Sequence, residues 1–68
     1  MPISIRNQFR GTVKEVKLGT VMAEIIVQIG GGNQVTSAIT RDAAEDLALK
    51  VGDEVTVLVK STSVMIQK

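Results

Sequence analysis

The chain has 68 residues and a formal net charge of +1, so it forms one domain at most and carries no strong field toward nucleic acid or anionic membranes. It contains no cysteine and no histidine, which excludes disulfides, thiolate metal sites and the usual near-neutral catalytic base. A chain this short rarely builds a sufficient core alone, and association with other subunits is the means of stabilisation that remains. The composition, 44% hydrophobic with Phe9 as the single aromatic residue, suits packed strands and subunit interfaces.

The first predicted element is a strand over residues 9–17, in which side chains alternate between two faces. Strict alternation places Phe9 and Val13 on one face together with Glu15, and it places Val16 on the opposite face. The opposite face also carries most of the polar side chains, so the strand is predicted to have one wetter side.

A second strand is predicted over residues 21–29, after a turn at residues 18–20. Its centre, the IIV of residues 25–27, is apolar on both faces, because successive side chains of a strand point in opposite directions. One face fills the core, and we assign the other to a contact with another subunit. The GGGN of residues 30–33 predicts a tight hairpin connection to a third strand over residues 34–40, since glycine and asparagine tolerate positive φ.

The segment over residues 41–49 changes to a helical pattern, with alanine and leucine at helical spacing between charged residues. Thr40 fits the N-cap position, and Asp42 lies near the positive end of the helix dipole. Two further strands are predicted over residues 54–60 and 63–67. The sequence therefore predicts an all-β fold: a five-stranded OB-type barrel with one short helix between strands 3 and 4.

The inventory of reactive side chains argues against catalysis. The seven carboxylates lie on turns, on the helix or on strand exteriors, and nothing pairs them, so we expect no enzymatic activity. An OB-type barrel that binds nucleic acid uses aromatic side chains for base stacking, and this chain has Phe9 alone. We expect neither nucleic acid nor a membrane as a partner, and the lack of a signal-peptide pattern predicts a cytoplasmic location.

Two short segments are rich in groups that bind anions. Residues 4–8 (SIRNQ) offer a hydroxyl, a guanidinium, two amides and backbone N–H groups, and residues 60–63 (KSTS) offer an ammonium and three hydroxyls. A tetrahedral dianion needs several donors and enough positive charge to offset its desolvation, and Arg6 and Lys60 would supply two charges. Thr40 adds a hydroxyl at a helix start.

Each of these features also has an ordinary structural interpretation. Residues 4–8 fit a solvated N-terminal arm, residues 60–63 fit a polar turn, and Thr40 fits a simple helix cap. From composition and spacing alone, both interpretations stay open, and the sequence defines a small β domain with loops suited to anions.

The two ends of the chain carry specific motifs, SIRNQFRG at residues 4–11 and KSTSVMI at residues 60–66. They resemble the S-A-R-N-Q opening and the K-S-T-x-V-M-I ending of the molbindins, the molybdopterin-associated Mop proteins. The resemblance implies a single Mop-type domain over residues 1–68 that binds molybdate or tungstate without catalysis, for intracellular storage or homeostasis. Family members assemble as hexamers with oxyanions at subunit interfaces, so the implied partners are further copies of this chain and a small oxyanion.

The resemblance also implies a set of oxyanion-binding residues contributed by two neighbouring subunits. One subunit supplies hydroxyls, a backbone N–H and two cations, and its neighbour supplies a helix start. The implied residues are Ser4, Ile5, Arg6, Lys60 and Ser61 from one subunit, with Thr40 and Ala43 from its neighbour.

Two of these positions depart from the family pattern. Position 43 is often serine, and Ala43 lacks that hydroxyl while keeping a backbone N–H at the helix start. The loss of one neutral hydrogen bond costs about 0.5–1.5 kcal/mol. Ile5 stands where alanine is usual and would narrow or dry the site. A second class of family sites lies on symmetry axes, near the turn that corresponds to residues 19–21.

A DNA-binding dimer of the swapped-hairpin type is the alternative function. Its support is the segment over residues 47–59, where the end of a helix, a Gly-Asp-Glu turn and a strand follow one another. Against it, the basic N-terminal strand and the proline before the helix that this fold normally has are missing.

Overall fold

A computed structural model describes residues 5–68 as one antiparallel β-sheet with a short helix. The regular elements are β1 (Asn7–Leu18), β2 (Met22–Gln28), β3 (Gln34–Thr40), α1 (Arg41–Asp46) and β4 (Glu54–Val59). The strand order is β3-β2-β1-β4, so β3 and β4 form the two edges and do not pair with each other. The molecule is a curled half-barrel, and the predicted all-β class with one short helix between strands 3 and 4 is confirmed.

The prediction of a fifth strand over residues 63–67 is wrong, and with it the prediction of a closed barrel. Ser61–Ser63 form a 3-10 turn, and the residues after it have no regular structure. Val64, Met65 and Ile66 are 47%, 92% and 89% exposed. A strand needs a neighbour for its backbone hydrogen bonds, and none of the four strands within the described residues pairs with this segment. Its apolar pattern therefore remains uncovered in a single chain.

A β-bulge interrupts β1 between Val13 and Glu15. An extra residue in one strand shifts the alternation of faces, so Val16 pairs with Ile25 and packs against the core, while Glu15 is exposed opposite Ile26. The predicted placement of Glu15 on the face of Val13 is therefore wrong. A strict period of two cannot reveal a bulge.

Gly11 lies where β1 passes from its pairing with β4 to its pairing with β2. A Cβ atom at this position would stand 2.6 Å from the carbonyl oxygen of Gln28 and 2.6 Å from Cγ1 of Val27. Glycine is therefore the residue that lets β2 approach β1 here without a shift of the backbone.

The connection between β2 and β3 is the predicted glycine turn. Gly31 and Gly32 have φ angles of 74° and 76°, and the N–H of Ile29 donates to the carbonyl oxygen of Asn33 at 2.9 Å. Positive φ costs glycine little, so the prediction is confirmed, with the glycines rather than Asn33 supplying the left-handed backbone.

The core is small because one sheet face and a six-residue helix supply it. Alternate residues of β2 point inward, and Ile26 on the opposite face is only half-buried. Within the described chain the buried apolar residues are Val13, Ala23, Ile25, Val27 and Ala44. The core is thus as small as the length of the chain predicts.

α1 ends at Asp46, three residues before the predicted end. Ala48 has a φ of 51°, and its N–H donates to the carbonyl oxygen of Glu45 at 2.9 Å. The N–H of Leu49 donates to the carbonyl oxygen of Ala44 at 3.1 Å, which carries Leu49 back against the core. A left-handed residue of this kind ends a helix, whatever the helical spacing of the apolar residues that follow.

Candidate functional site

Arg6 and Lys60 leave the sheet from adjoining strand ends. The β1–β4 ladder ends with Asn7 opposite Val59, so Arg6 directly precedes this pair and Lys60 directly follows it. The Nδ2 of Asn7 donates to the carbonyl oxygen of Val59 at 3.1 Å and ties the two ends together. Arg6 and Lys60 are both exposed. The structure thus brings the two predicted cations to one end of the sheet.

Short local bonds organise the backbone beside these cations. The Nε2 of Gln8 donates to the carbonyl oxygen of Ile5 at 2.8 Å. On the other strand, the N–H of Ser63 donates to the carbonyl oxygen of Lys60 at 2.9 Å, which closes the turn that contains the exposed Ser61. Ile5 and Ser61 therefore stay at the same end of the sheet as the cations.

Ser4 lies outside the residues that the structure describes, so its place in the predicted site stays a prediction. The other six predicted residues all fall within the described part of the chain.

Thr40 ends β3 and caps α1, as predicted. Its Oγ1 accepts the N–H of Ala43 at 3.1 Å. This bond occupies the N–H that the family resemblance offers to an anion, so Ala43 contributes less as a donor than the sequence suggests. A hydroxyl that accepts one hydrogen bond keeps its own hydrogen to donate. The Thr40 hydroxyl is therefore still able to donate at this helix start.

The structure does not bring the two predicted donor groups together in one chain. Thr40 ends the β2–β3 ladder opposite Met22, and the next residue of β2, Ala23, pairs with Leu18 at the C-terminal end of β1. Arg6 and Lys60 lie at the N-terminal end of β1. The 12 residues of β1 run roughly 35–40 Å along the strand. The two groups therefore lie at opposite ends of the sheet's longest strand.

The sequence analysis did not single out Arg41, which joins α1 to the turn between β1 and β2. Its backbone N–H donates to the carbonyl oxygen of Val21 at 2.8 Å, and its Nη1 donates to the carbonyl oxygen of Gly19 at 3.2 Å. Its Nε donates to Oε1 of Glu45 at 2.6 Å. The ion pair had a sequence signal, because arginine and glutamate four residues apart on a helix face each other. The contacts of Arg41 with the turn depend on tertiary structure, so no sequence signal indicated them.

An apolar groove of about 260 Å³ opens between the two sheet edges. Its lining includes Val13 from β1, Ile39 from β3, Val57 from β4 and Leu49 from the loop after α1. In the single chain this apolar surface and the apolar residues 64–66 are both left open.

The donors at both ends of β1 are cations and hydroxyls, which suit an anion rather than a metal cation. Nowhere in residues 5–68 do three or more His, Cys, Asp or Glu side chains cluster in a way that could hold a metal ion. On β4, the acidic Glu54 lies at the strand end farthest from Lys60. No helix in the same part of the chain has the length and apolar character needed to cross a membrane.

The fold and these donor groups define a small all-β binding domain. Residues 3–66 match the TOBE domain family. Over 66 residues the chain is 53% identical to molybdenum-pterin-binding protein 3 of Clostridium pasteurianum, with 97% of each chain covered. The chain therefore belongs to the TOBE domain family and, within it, to the Mop proteins or molbindins, which confirms the resemblance seen in the sequence.

Two solved structures are similar over most of this chain. A molybdate-binding protein from Sporomusa ovata has a TM-score of 0.95 and 47% identity, with 100% of both chains covered. The cytoplasmic molybdate-binding protein ModG, solved with molybdate bound, has a TM-score of 0.86 and 43% identity over 90% of this chain and 43% of its own.

Proposed function

We propose that this chain binds molybdate, with tungstate as the close alternative, as a non-catalytic domain that works in an oligomer. The observation that carries the proposal is the pair Arg6 and Lys60 at adjoining strand ends, in a chain whose solved relatives are described as molybdate-binding proteins. A dianion loses strong hydration when it binds, and two nearby cations offset that loss. Ser61 adds a hydroxyl donor beside Lys60.

The site that we propose lies between subunits. Arg6 and Lys60 of one copy would meet Thr40 of another, because the length of β1 separates these groups within one chain. Ser4, Ile5 and Ser61 complete the first group, and Ala43 supports the Thr40 hydroxyl in the second. The family resemblance favours a hexamer built as a trimer of dimers.

The distribution of apolar surface supports self-association. The described chain buries five apolar residues, while the groove between β3 and β4 and the side chains of Met65 and Ile66 stay open. Burial of apolar surface contributes roughly 25 cal/mol per Å², so covering these two surfaces would add substantially to a small core. We propose that a second copy of this chain covers the groove with its apolar segment, residues 64–66.

The biological role that we propose is storage or homeostasis of the oxyanion in the cytoplasm. ModG is described as cytoplasmic, and the relative from Clostridium pasteurianum is named as a binding protein rather than as an enzyme. The chain's lack of histidine and cysteine leaves catalysis without its commonest groups.

Calorimetric titration of the purified protein with molybdate, tungstate and sulfate tests the ligand. We expect uptake of molybdate and tungstate at micromolar concentration and weaker binding of the smaller sulfate. Absence of molybdate uptake at that concentration would overturn the proposal.

Sedimentation velocity tests the oligomer separately. We expect an assembly larger than a monomer at micromolar protein, and we expect Ile66→Asp to shift it toward smaller species because the exposed apolar side chain is replaced by a charge. Gln67→Asp is the matched control, since it adds the same charge to the same segment without removing an apolar group. A monomeric parent protein, or equal effects of the two variants, would contradict the interface.

The structure offers no support for the DNA-binding alternative. Residues 47–53 connect α1 to β4, and β4 pairs with β1 rather than forming a hairpin with the segment before it. A gel shift with random duplex DNA at low salt remains the direct check, and we expect none.

A further inference from the structure

Arg41 joins the start of α1 to the turn between β1 and β2 through two hydrogen bonds and makes a third within α1. Two carbonyl oxygens of the turn, those of Gly19 and Val21, accept from its side chain and its backbone at 3.2 and 2.8 Å. The carboxylate of Glu45 accepts from its Nε at 2.6 Å. The turn itself is closed by the N–H of Gly19, which donates to the carbonyl oxygen of Met22 at 2.7 Å.

These contacts fix the residue immediately before Arg41. On its N-terminal side, Thr40 is held by its pairing with Met22 at the end of β3. On its C-terminal side, the backbone of Arg41 is held by Val21, and the hydroxyl of Thr40 accepts from Ala43. The position of the Thr40 hydroxyl oxygen, from which its hydrogen is donated, is therefore set by the joint between α1 and the turn.

We propose that Arg41 is a positioning residue for the oxyanion site, acting through the Thr40 hydroxyl. The inference rests on the proposed function, in which Thr40 donates to the anion. Arg41 is not a direct ligand: Glu45 pairs with its charge, and two of its side-chain nitrogens already donate within the chain. Arg41 affects binding by holding the neighbouring Thr40 in place.

The competing explanation is that Arg41 attracts the anion by its charge alone. The two explanations predict different effects of a substitution at Glu45. In the variant Glu45→Gln, the amide oxygen still accepts from Arg41, but the negative charge is gone. Positioning predicts that molybdate affinity stays within about twofold of the parent, whereas charge attraction predicts tighter binding that fades as salt rises.

A double-mutant cycle on the full-length protein, read by calorimetric titration with molybdate, tests the proposal. Thr40→Val should weaken binding by about tenfold, the size of one lost hydrogen bond, and Arg41→Ala by roughly threefold or more. In the Thr40→Val background, Arg41→Ala should have no further effect, because the group it positions is gone. Thr40→Ser keeps the hydroxyl and should bind within about twofold of the parent.

The amide hydrogen exchange of Ala43 gives a second readout in the ligand-free protein. Its N–H bonds to Thr40 Oγ1, so Arg41→Ala should speed its exchange, while Glu45→Gln should leave it near the parent rate. If Arg41→Ala fails to fold, Glu45→Ala replaces it, because this variant removes the bond that holds the Nε of Arg41. Glu45→Ala should also weaken molybdate binding, but by less than Arg41→Ala. Charge attraction predicts instead that Glu45→Ala binds molybdate more tightly than the parent.

The outcomes separate this inference from the proposed function. Loss of affinity on Arg41→Ala that persists in the Thr40→Val background, or tighter binding of Glu45→Gln, would overturn the positioning role. A parent protein that binds no molybdate would overturn the proposed function first. Equal molybdate affinity of the parent and of Thr40→Val would show that Thr40 is not part of the site, and the inference about Arg41 would then be wrong as well.

Discussion

The two ends of β1 carry donor groups that are anchored in different ways. At the N-terminal end, Arg6 and Lys60 extend as exposed cations from strand ends joined by one side-chain bond, that of Asn7. At the C-terminal end, Thr40 sits between a strand pair and a capped helix, with Arg41 bonded to the neighbouring turn. One end offers charge on long, adaptable side chains, and the other offers a single neutral donor held in a fixed position.

This difference matches what a tetrahedral dianion requires. Charge acts over several ångströms and tolerates side-chain movement, so flexible cations can supply it. A hydrogen bond weakens steeply with distance and with departure from linearity, so a neutral donor is useful when its position is fixed in advance. A site assembled from both ends of β1 would combine the two properties.

The largest expected effect is the loss of a cation at the first end. Arg6→Ala or Lys60→Ala should each weaken molybdate binding by about tenfold or more, because a charge-assisted bond contributes about 1.5–3 kcal/mol. Calorimetric titration measures it. The control is Lys14→Ala, which removes an exposed lysine from β1 away from the strand end. Unchanged affinity in both variants would show that this end supplies no charge to the site.

A change midway along β1 should disturb both ends at once. Gly11→Ala places a methyl group 2.6 Å from the backbone of β2, and overpacking of this kind lowers the free energy of unfolding by about 1–3 kcal/mol. Urea unfolding measures it. Gly30→Ala is the matched control, since no atom lies within 4 Å of its added Cβ. Equal stability of the two variants would contradict the close approach of β1 and β2.

A smaller effect on stability is expected at the second end. Thr40→Val removes the cap of α1 and should lower the free energy of unfolding by about 1 kcal/mol. Thr40→Ser retains the cap and should stay near the parent in the same urea titration. If the valine variant is as stable as the serine variant, the cap does not hold this end in place.

The smallest expected effect concerns the tie between the two cation-bearing strands. Asn7→Ala removes the bond to the carbonyl oxygen of Val59 and should cost about 0.5–1.5 kcal/mol in stability, with a loss of molybdate affinity of roughly threefold at most. Asn33→Ala, which removes an exposed amide bond to the carbonyl oxygen of Gly30 in the β2–β3 turn, is the control in both measurements. If Asn7→Ala lost more molybdate affinity than Arg6→Ala, the bond of Asn7 would matter more to binding than the charge of Arg6, contrary to our proposal.

The sequence predicted the strands well where alternation and turn residues agree. The β2–β3 hairpin is specified by apolar alternation on β2 and by the glycines that the turn requires, both of which are local signals. The bulge between Val13 and Glu15 and the early end of α1 at Asp46 were not predictable, because tertiary packing imposes each of them and the local sequence pattern does not differ from that of a regular strand or helix.

The candidate site divides in the same way. Arg6, Lys60 and Thr40 were identified from donor chemistry and motif, and the register of β1 with β4 explains how the first two come together. The use of the Ala43 N–H within the chain, and the reach of Arg41 to the turn, depend on how α1 lies against the sheet. No pattern in one sequence reports that arrangement.

The edge strand β3 has a consequence for the rate at which the protein folds. Proteins usually protect edge strands with lysine or proline, and β3 (QVTSAIT) has no charged residue and no proline. If a second copy covers this edge, the last folding step is bimolecular, and refolding should accelerate as protein concentration rises. The yield of native protein would then be set by how quickly two chains meet, in competition with aggregation through the same edge.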